Sequence, residues 1–485
     1  MNTTLFLTLF IGYFLFLLAV GWWTSRGATN DTYYSAGHKA PWLLVSFGMI
    51  GTSLSGVTFI SVPGWVINAN MTYLMMVIGF MIGYTIIAFV LLPLYYKNNS
   101  VSIYAVLEER FGRQGYLTAS GFFLLSRTVG ASARMFIVTA VLQFMIFDHI
   151  HIPGIGPVPF WATACLLLIC IALYSGNGGM GTIVITDTLQ TLFMLIAVGM
   201  AIYYIAPAVV PSGEGVWEHI FAHEKSEIWR AEGPKSWWRQ LLAGASIALA
   251  MTGLDQDMMQ KQLTVKRVGD AQKNVLLLGL NLIWVNILFL GLGVLLYEYV
   301  LNHGMLDGLG ASDDLFATVV MQPEFPTALG MVFFLGLLAA AFSSADSALA
   351  ALTTSFSHDF LGIGASGSVQ KRKRVYVGFM ALVLLTMIGI WLNGNDSIIN
   401  TLFTLTGYTY GPLLGMFAFL LFSKRVPKAT WVLPIALASP LLSYGLQWYM
   451  QQRNSPIGFE LLLINAAITY LLLLLAAFTQ KRVTE

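Results

Sequence analysis

Ala340, Ser343, Ser344 and Ser347 follow one another at i, i+3, i+4 and i+7 within a membrane-length apolar stretch, GLLAAAFSSADSAL (Gly336 to Leu349). That spacing lays them along one face of a helix. Ala339, Ala341 and Ala345 keep the surroundings small enough for a second helix to approach, and Asp346 borders the same stripe. An acid at a helix centre costs about 2.5–3.5 kcal/mol on insertion scales, so it calls for a hard cation or a basic side chain. A second oxygen-rich place is GMIGTSLSGVTFISVPG (Gly48 to Gly64), where Gly51 and Gly56 bracket Thr52, Ser53, Leu54 and Ser55. Glycine weakens a helix by about 1 kcal/mol relative to alanine, and short hydroxyl residues compete for main-chain hydrogen bonds. Unwinding here would release carbonyls able to coordinate a cation. A packing seam of small residues explains the same composition equally well.

Three more charged residues fall inside apolar stretches. Asp187, in GNGGMGTIVITDTLQ (Gly176 to Gln190), stands one turn into its segment, as a cation ligand or a partner of hydroxyl groups. The glycines before it read as a flexible connection; without a Walker lysine they are no phosphate loop. Arg127 and Arg134 are seven apart and therefore on one helix face. Arg127 reads as snorkelling or structurally paired. Arg134 lies deeper, where a guanidinium can hold an anionic group through two parallel hydrogen bonds.

The elements that must position these residues are membrane helices. The 485 residues are 57% hydrophobic and only 10% charged, with mean hydropathy +0.73, which excludes a soluble globular class. A net charge of +2 gives no reason to expect a nucleic-acid partner. Cys165 and Cys170 lie on different faces of one apolar segment and read as core residues. Segments long enough to cross about 30 Å fall at 5–24, 42–66, 70–96, 115–146, 158–175, 182–208, 236–260, 274–300, 326–361, 373–393, 397–423, 429–449 and 457–480. The expectation is a single all-α polytopic membrane domain of about thirteen spans. No basic residue precedes the first apolar stretch and Arg26 follows it, which predicts a retained first helix with its N-terminus outside. Most of the 25 basic residues then fall on the cytoplasmic side, including Lys261, Lys266, Arg267 and the run Lys371 to Arg374. Lys225, Arg230, Lys235, Arg239 and Arg453 fall outside. His219 and His223, at i, i+4, lack an evident third metal ligand and read as part of a solvated outside loop.

Five stretches carry a resemblance, in order along the chain: SIYAVLEERFG (Ser102 to Gly112), GGMGTIVITDTLQ, LDQDMMQKQL (Leu254 to Leu263), LLAAAFSSADSAL and TGYTYGPLLG (Thr406 to Gly415). Together with the thirteen-span layout they resemble the sodium:solute symporter family, which includes sodium/sugar, sodium/proline and sodium/sialic acid carriers. The resemblance implies a LeuT-like core of two inverted five-helix repeats, about 42–208 and 236–423, with extra helices at 5–24, 429–449 and 457–480. It implies a main Na+ site made by carbonyls of Gly51, Leu54 and Ala340 and hydroxyls of Ser343 and Ser344. A second Na+ site, found in some members, would use Asp187, Ser343, Asp346 and Ser347; the family usually has Ser or Thr where this chain has Asp346. Substrate would meet Ser53, Ser55, Thr58, Tyr73, Val77, Arg134 and Thr406. Sugar carriers have Glu or Gln where this chain has Val77, whereas the hydroxyl cluster with Arg134 is similar to the sialic acid branch.

The expected function is Na+-coupled import of a small polar solute by alternating access, with sialic acid or a related sugar acid ahead of a neutral sugar, an amino acid or a monocarboxylate. The expected setting is the plasma (cytoplasmic) membrane, with the C-terminus inside, the lipid bilayer, sodium and solute as partners, and a functional monomer. A membrane-embedded hydrolase is the remote alternative, because no histidine lies mid-span to act as base. An enzyme is not expected.

Overall fold

In hydrocarbon a chain must satisfy its own backbone, so apolar runs of this length fold as helices. The computed structural model describes residues 3–24, 42–98, 102–154, 156–175, 179–363, 368–393 and 398–478. Arg26 and the connection at Gly176 to Gly178 lie outside them. Thirteen helical spans follow the expected order. The first is Thr3–Thr24 and the second is Trp42–Ser53 continued by Gly56–Ala69. The third runs from Tyr73 through a wide turn to Asn98, followed by Glu108–Met145, Phe160–Ser175 and Gly179–Val209. The seventh is Trp237–Ala248 continued by Gln256–Gln262, and the eighth is Val268–Asn302. Thr327–Ser355, Val369–Asn393, Ile398–Phe422, Ala429–Gln452 and Leu461–Phe478 complete the series. Among the described residues ten helical stretches are long and apolar enough to cross a membrane. The other three crossings are the short fifth span and the two interrupted ones.

Those interruptions reveal the repeat. Spans two and seven open the two five-helix repeats, and both break near their middles, at Leu54–Ser55 and at Leu254–Asp255. Because each repeat crosses five times, the second begins on the opposite face of the bilayer from the first. Composition offers the first break as one of two equal readings, beside a packing seam, and gives no sign of the second. The second follows a wide turn, Leu249–Gly253, and Asp255 restarts the helix by accepting hydrogen bonds from the amides of Asp257 (2.9 Å) and Met258 (3.3 Å).

Outside the bilayer, His219 faces Glu214 (3.2 Å) and Glu298 (2.7 Å), while His223 accepts a hydrogen bond from the Lys225 amide. The two histidines are thus engaged separately. Among the described residues no cluster of three metal-ligating side chains occurs.

Spans three and seven cross with their backbones in contact. A Cβ on Gly244 would lie 2.0 Å from the Met76 carbonyl oxygen, and one on Gly79 would lie 2.2 Å from that of Leu241. Gly244→Ala must therefore push the two helices apart, at about 1–3 kcal/mol. A lower thermal unfolding midpoint in detergent is expected. Gly199→Ala, inside the sixth span with nothing within 4 Å of the new methyl group, should not lower the midpoint.

Candidate functional site

The two breaks differ in how they treat the backbone they expose. In span seven the carbonyls of Gly253 and Leu254 accept hydrogen bonds from the hydroxyls of Tyr95 (2.8 Å) and Tyr104 (2.9 Å), and the Gln256 side chain accepts from the Ile103 amide. This is the physical role of the SIYAVLEERFG stretch: it seals the second break. In span two the ladder runs to the Leu54 amide on the Ile50 carbonyl (2.7 Å) and resumes with the Phe59 amide on the Ser55 carbonyl (3.0 Å). The carbonyls of Gly51, Thr52, Ser53 and Leu54 are released between, and among the described residues no donor replaces the lost bonds. Such groups in hydrocarbon call for a ligand.

Span nine packs against both halves of this broken helix. Its hydroxyl stripe is fully buried: Ser343 donates to Asp187 (2.7 Å), Ser347 donates to the Ser343 carbonyl (3.0 Å), and Ser344 has no partner among the described residues. Gly51 lets span six come close, since a Cβ there would lie 2.1 Å from the Thr191 hydroxyl. The released carbonyls of Gly51 and Leu54 and the unpartnered Ser344 hydroxyl are thus held on the elements that Asp187 joins.

Asp187 does not stand alone. Its Oδ2 meets the Lys261 ammonium at 2.8 Å and accepts from the Thr52 hydroxyl at 2.9 Å, while Lys261 also donates to Thr52 at 2.7 Å. Lys261 is only 1% exposed. The expectation of a cytoplasmic anchoring charge is therefore corrected: the break in span seven carries the lysine inward from the membrane edge. Arg127 pairs with Asp257 and lies 3.6 Å from Asp255, whose other partner is the Tyr410 hydroxyl (2.5 Å). Asp346 accepts from Tyr174 (2.6 Å), and its second oxygen is unpartnered among the described residues.

A cavity of about 90 Å³ lies above this network. Ser53, Ser55, Thr58, Tyr73 and Arg134 line it, as expected of a substrate pocket. Val77 and Thr406 are buried but are not among its lining residues. Sequence reasoning missed Phe80, Tyr84, Thr252 and Asn286, which complete the wall. Four lining polar atoms lack partners among the described residues: Ser53 Oγ, Asn286 Oδ1 and the Nε atoms of Arg127 and Arg134. Unlike Arg127, Arg134 forms no ion pair with a described residue. On one side Tyr73 and Phe403, both lining residues, continue into Trp65 and Phe459 through ring contacts of 5.0–6.0 Å. Lys235 lies 4.3 Å above the Trp65 ring, beside a second cavity of about 200 Å³. The inner cavity is small beside the roughly 300–1,000 Å³ of ligand pockets, so a solute must enlarge it.

A released-carbonyl break facing buried hydroxyls, under a polar cavity, is a cation-coupled carrier's arrangement. The model of the sodium:solute symporter family matches residues 33–430. The chain belongs to the sodium:solute symporter family. It is 23% identical to the sodium/sialic acid symporter SiaT of Proteus mirabilis, over 88% of this chain and 86% of that one. It is 22% identical to the sodium/glucose cotransporter of Vibrio parahaemolyticus, over 88% and 82%. A solved Na+-coupled sialic acid symporter, in a substrate-bound outward-open state, superposes with a TM-score of 0.80 over 98% of each chain at 19% identity, so the LeuT-like fold is shared. This symporter is accordingly a multi-pass integral membrane protein that imports a solute with Na+ as the coupled ion.

The two arginines of the symporter should separate in mutagenesis. Arg127→Ala leaves Asp255 and Asp257 without their guanidinium, and breaking a buried pair costs about 3–5 kcal/mol. Little folded protein is expected in the membrane fraction. Arg134→Ala breaks no ion pair and should yield normal amounts by size-exclusion chromatography.

Proposed function

We propose that the symporter carries sialic acid or a related sugar acid, with Arg134 holding the carboxylate. The observation that carries this reading is a guanidinium that reaches a polar cavity with no acid paired to it among the described residues. A carboxylate is its natural complement, because Arg offers two parallel donors. Ser53, Ser55, Thr58, Tyr73 and Asn286 supply hydrogen-bonding groups for the hydroxyls of a sugar acid. The names of the relatives, sialic acid symporters among them, support the same class. Val77 and Thr406 join the pocket only if it widens.

The main Na+ site in this reading uses the carbonyls of Gly51, Leu54 and Ala340 and the hydroxyls of Ser343 and Ser344. The ion binds where span two has surrendered its backbone bonds, and the solute binds to hydroxyls of the same break. Each therefore favours the other, by equal factors. The protein works in the plasma membrane as a monomeric carrier rather than an enzyme, N-terminus outside and C-terminus cytoplasmic. The abundance of basic residues in the segments that this topology places inside supports that orientation.

The test is uptake of radiolabelled N-acetylneuraminate into proteoliposomes under an inward Na+ gradient, against choline. Concentrative, Na+-dependent uptake is expected. Ser344→Ala should raise the half-saturating Na+ concentration about tenfold, or ~1.4 kcal/mol. Arg134→Ala should raise that for the solute at least about 30-fold, or ~2 kcal/mol. Unchanged solute affinity in Arg134→Ala removes the carboxylate assignment, while equal uptake in choline removes the sodium site.

A further inference from the structure

We infer that Lys261 is a tethered cation that takes the place of a second sodium ion at Asp187, so that this symporter binds one Na+ per chain. The inference rests on the main-site reading above.

Asp187, the acid at the centre of a second Na+ site, keeps no free oxygen, although one oxygen of Asp346 is unpartnered among the described residues. Both oxygens of Asp187 are committed, Oδ2 to the Lys261 ammonium (2.8 Å) and the Thr52 hydroxyl (2.9 Å), and Oδ1 to the Ser343 hydroxyl (2.7 Å). Ser347 turns its hydroxyl back onto the Ser343 carbonyl. Asp346 is held by Tyr174 and lies within electrostatic range of Lys261. The ammonium is therefore already the positive charge this group of oxygens requires. It is placed by three elements at once: Thr52 from span two, Asp187 from span six and, at 3.8 Å, Asp257 one turn before it on span seven. An ammonium so enclosed cannot be displaced by Na+ without leaving a second buried charge uncompensated, and the two cations repel one another.

The same contacts leave the main site intact. Ser343 donates its proton to Asp187, which leaves its oxygen lone pairs for an ion on the other side. Ser344 and the released carbonyls of span two do not contact the lysine. One mobile sodium and one fixed ammonium thus divide what two mobile ions would do. Carried with a monocarboxylate, a single Na+ moves no net charge.

The experiment counts ²²Na+ bound to the purified full-length protein in choline buffer, for wild type, Lys261→Ala, and Lys261→Ala with Asp187→Asn. Saturation at one Na+ per chain is expected for wild type, with a Hill coefficient near one. Lys261→Ala, which frees the carboxylate and leaves room beside it, should bind two, and the double variant should return to one. Two sodium ions on wild type overturn the inference and leave the main site standing; none on wild type overturns both. A folded Lys261→Ala protein that still binds one also overturns it. If that variant does not fold, the wild-type count decides alone.

Discussion

Charge buried in a medium of low dielectric constant must be matched inside the protein, and the centre of this symporter is organised around that requirement. Asp187, Asp255, Asp257 and Asp346 are all 0–1% exposed. Two unit charges 4 Å apart interact by roughly 4 kcal/mol at an effective dielectric constant near 20, enough to dictate which helices stay together. Lys261 and Arg127 answer three of the four acids and in doing so tie spans two, four, six and seven into one unit. Among the described residues of this centre, what is left over is one acid without an ion-pair partner, Asp346, and one guanidinium without an acid, Arg134. The second of these opens on a cavity; the first does not line it. The unmatched charge facing the cavity is thus positive.

Backbone groups obey the same accounting. Two helices break at equivalent positions of the repeats, yet only one break is closed by side chains. Tyr95 and Tyr104 make the break in span seven a fixed joint. The break in span two keeps four carbonyls without a donor among the described residues, and that asymmetry separates a sealed joint from one left open to a ligand. Inverted repeats supply the geometry twice; the side chains decide which copy is sealed.

The thirteen spans were legible because apolar length is a strong signal and depends on little else. Ends differed by a few residues, as with the fourth span, whose continuous helix begins just after a kink at Gly112 rather than at 115. The hydroxyl stripe of span nine and the small-residue break of span two were legible for the same reason, since both violate the composition expected of a lipid-facing helix. Lys261 was not. It lies at the expected edge of an apolar stretch, where a lysine ordinarily marks the cytoplasmic face, and nothing in a linear hydropathy pattern says that the helix has broken six residues earlier. The acids of LDQDMMQKQL carried a signal that was available: Asp257 and Lys261 are at i, i+4, a spacing that pairs opposite charges on one helix face. Val77 and Thr406 show the converse limit. A residue can share a face with lining side chains, as Val77 does with Tyr73, and still be packed away from a contracted cavity.

In the reading proposed for this symporter, coupling follows from how few residues separate the two ligands. Gly51 and Leu54 release carbonyls, and Ser53 and Ser55, interleaved with them, line the cavity. An ion that draws those carbonyls toward the hydroxyls of span nine fixes the dihedral angles of the break, and with them the directions of the serine side chains. A solute that orders those side chains fixes the carbonyls in turn. No long pathway is needed, because one unwound turn is shared by both sites. Lys261 holds the inner edge of that turn through Thr52, so the segment whose geometry must change is anchored at one end by a charge that never leaves the protein.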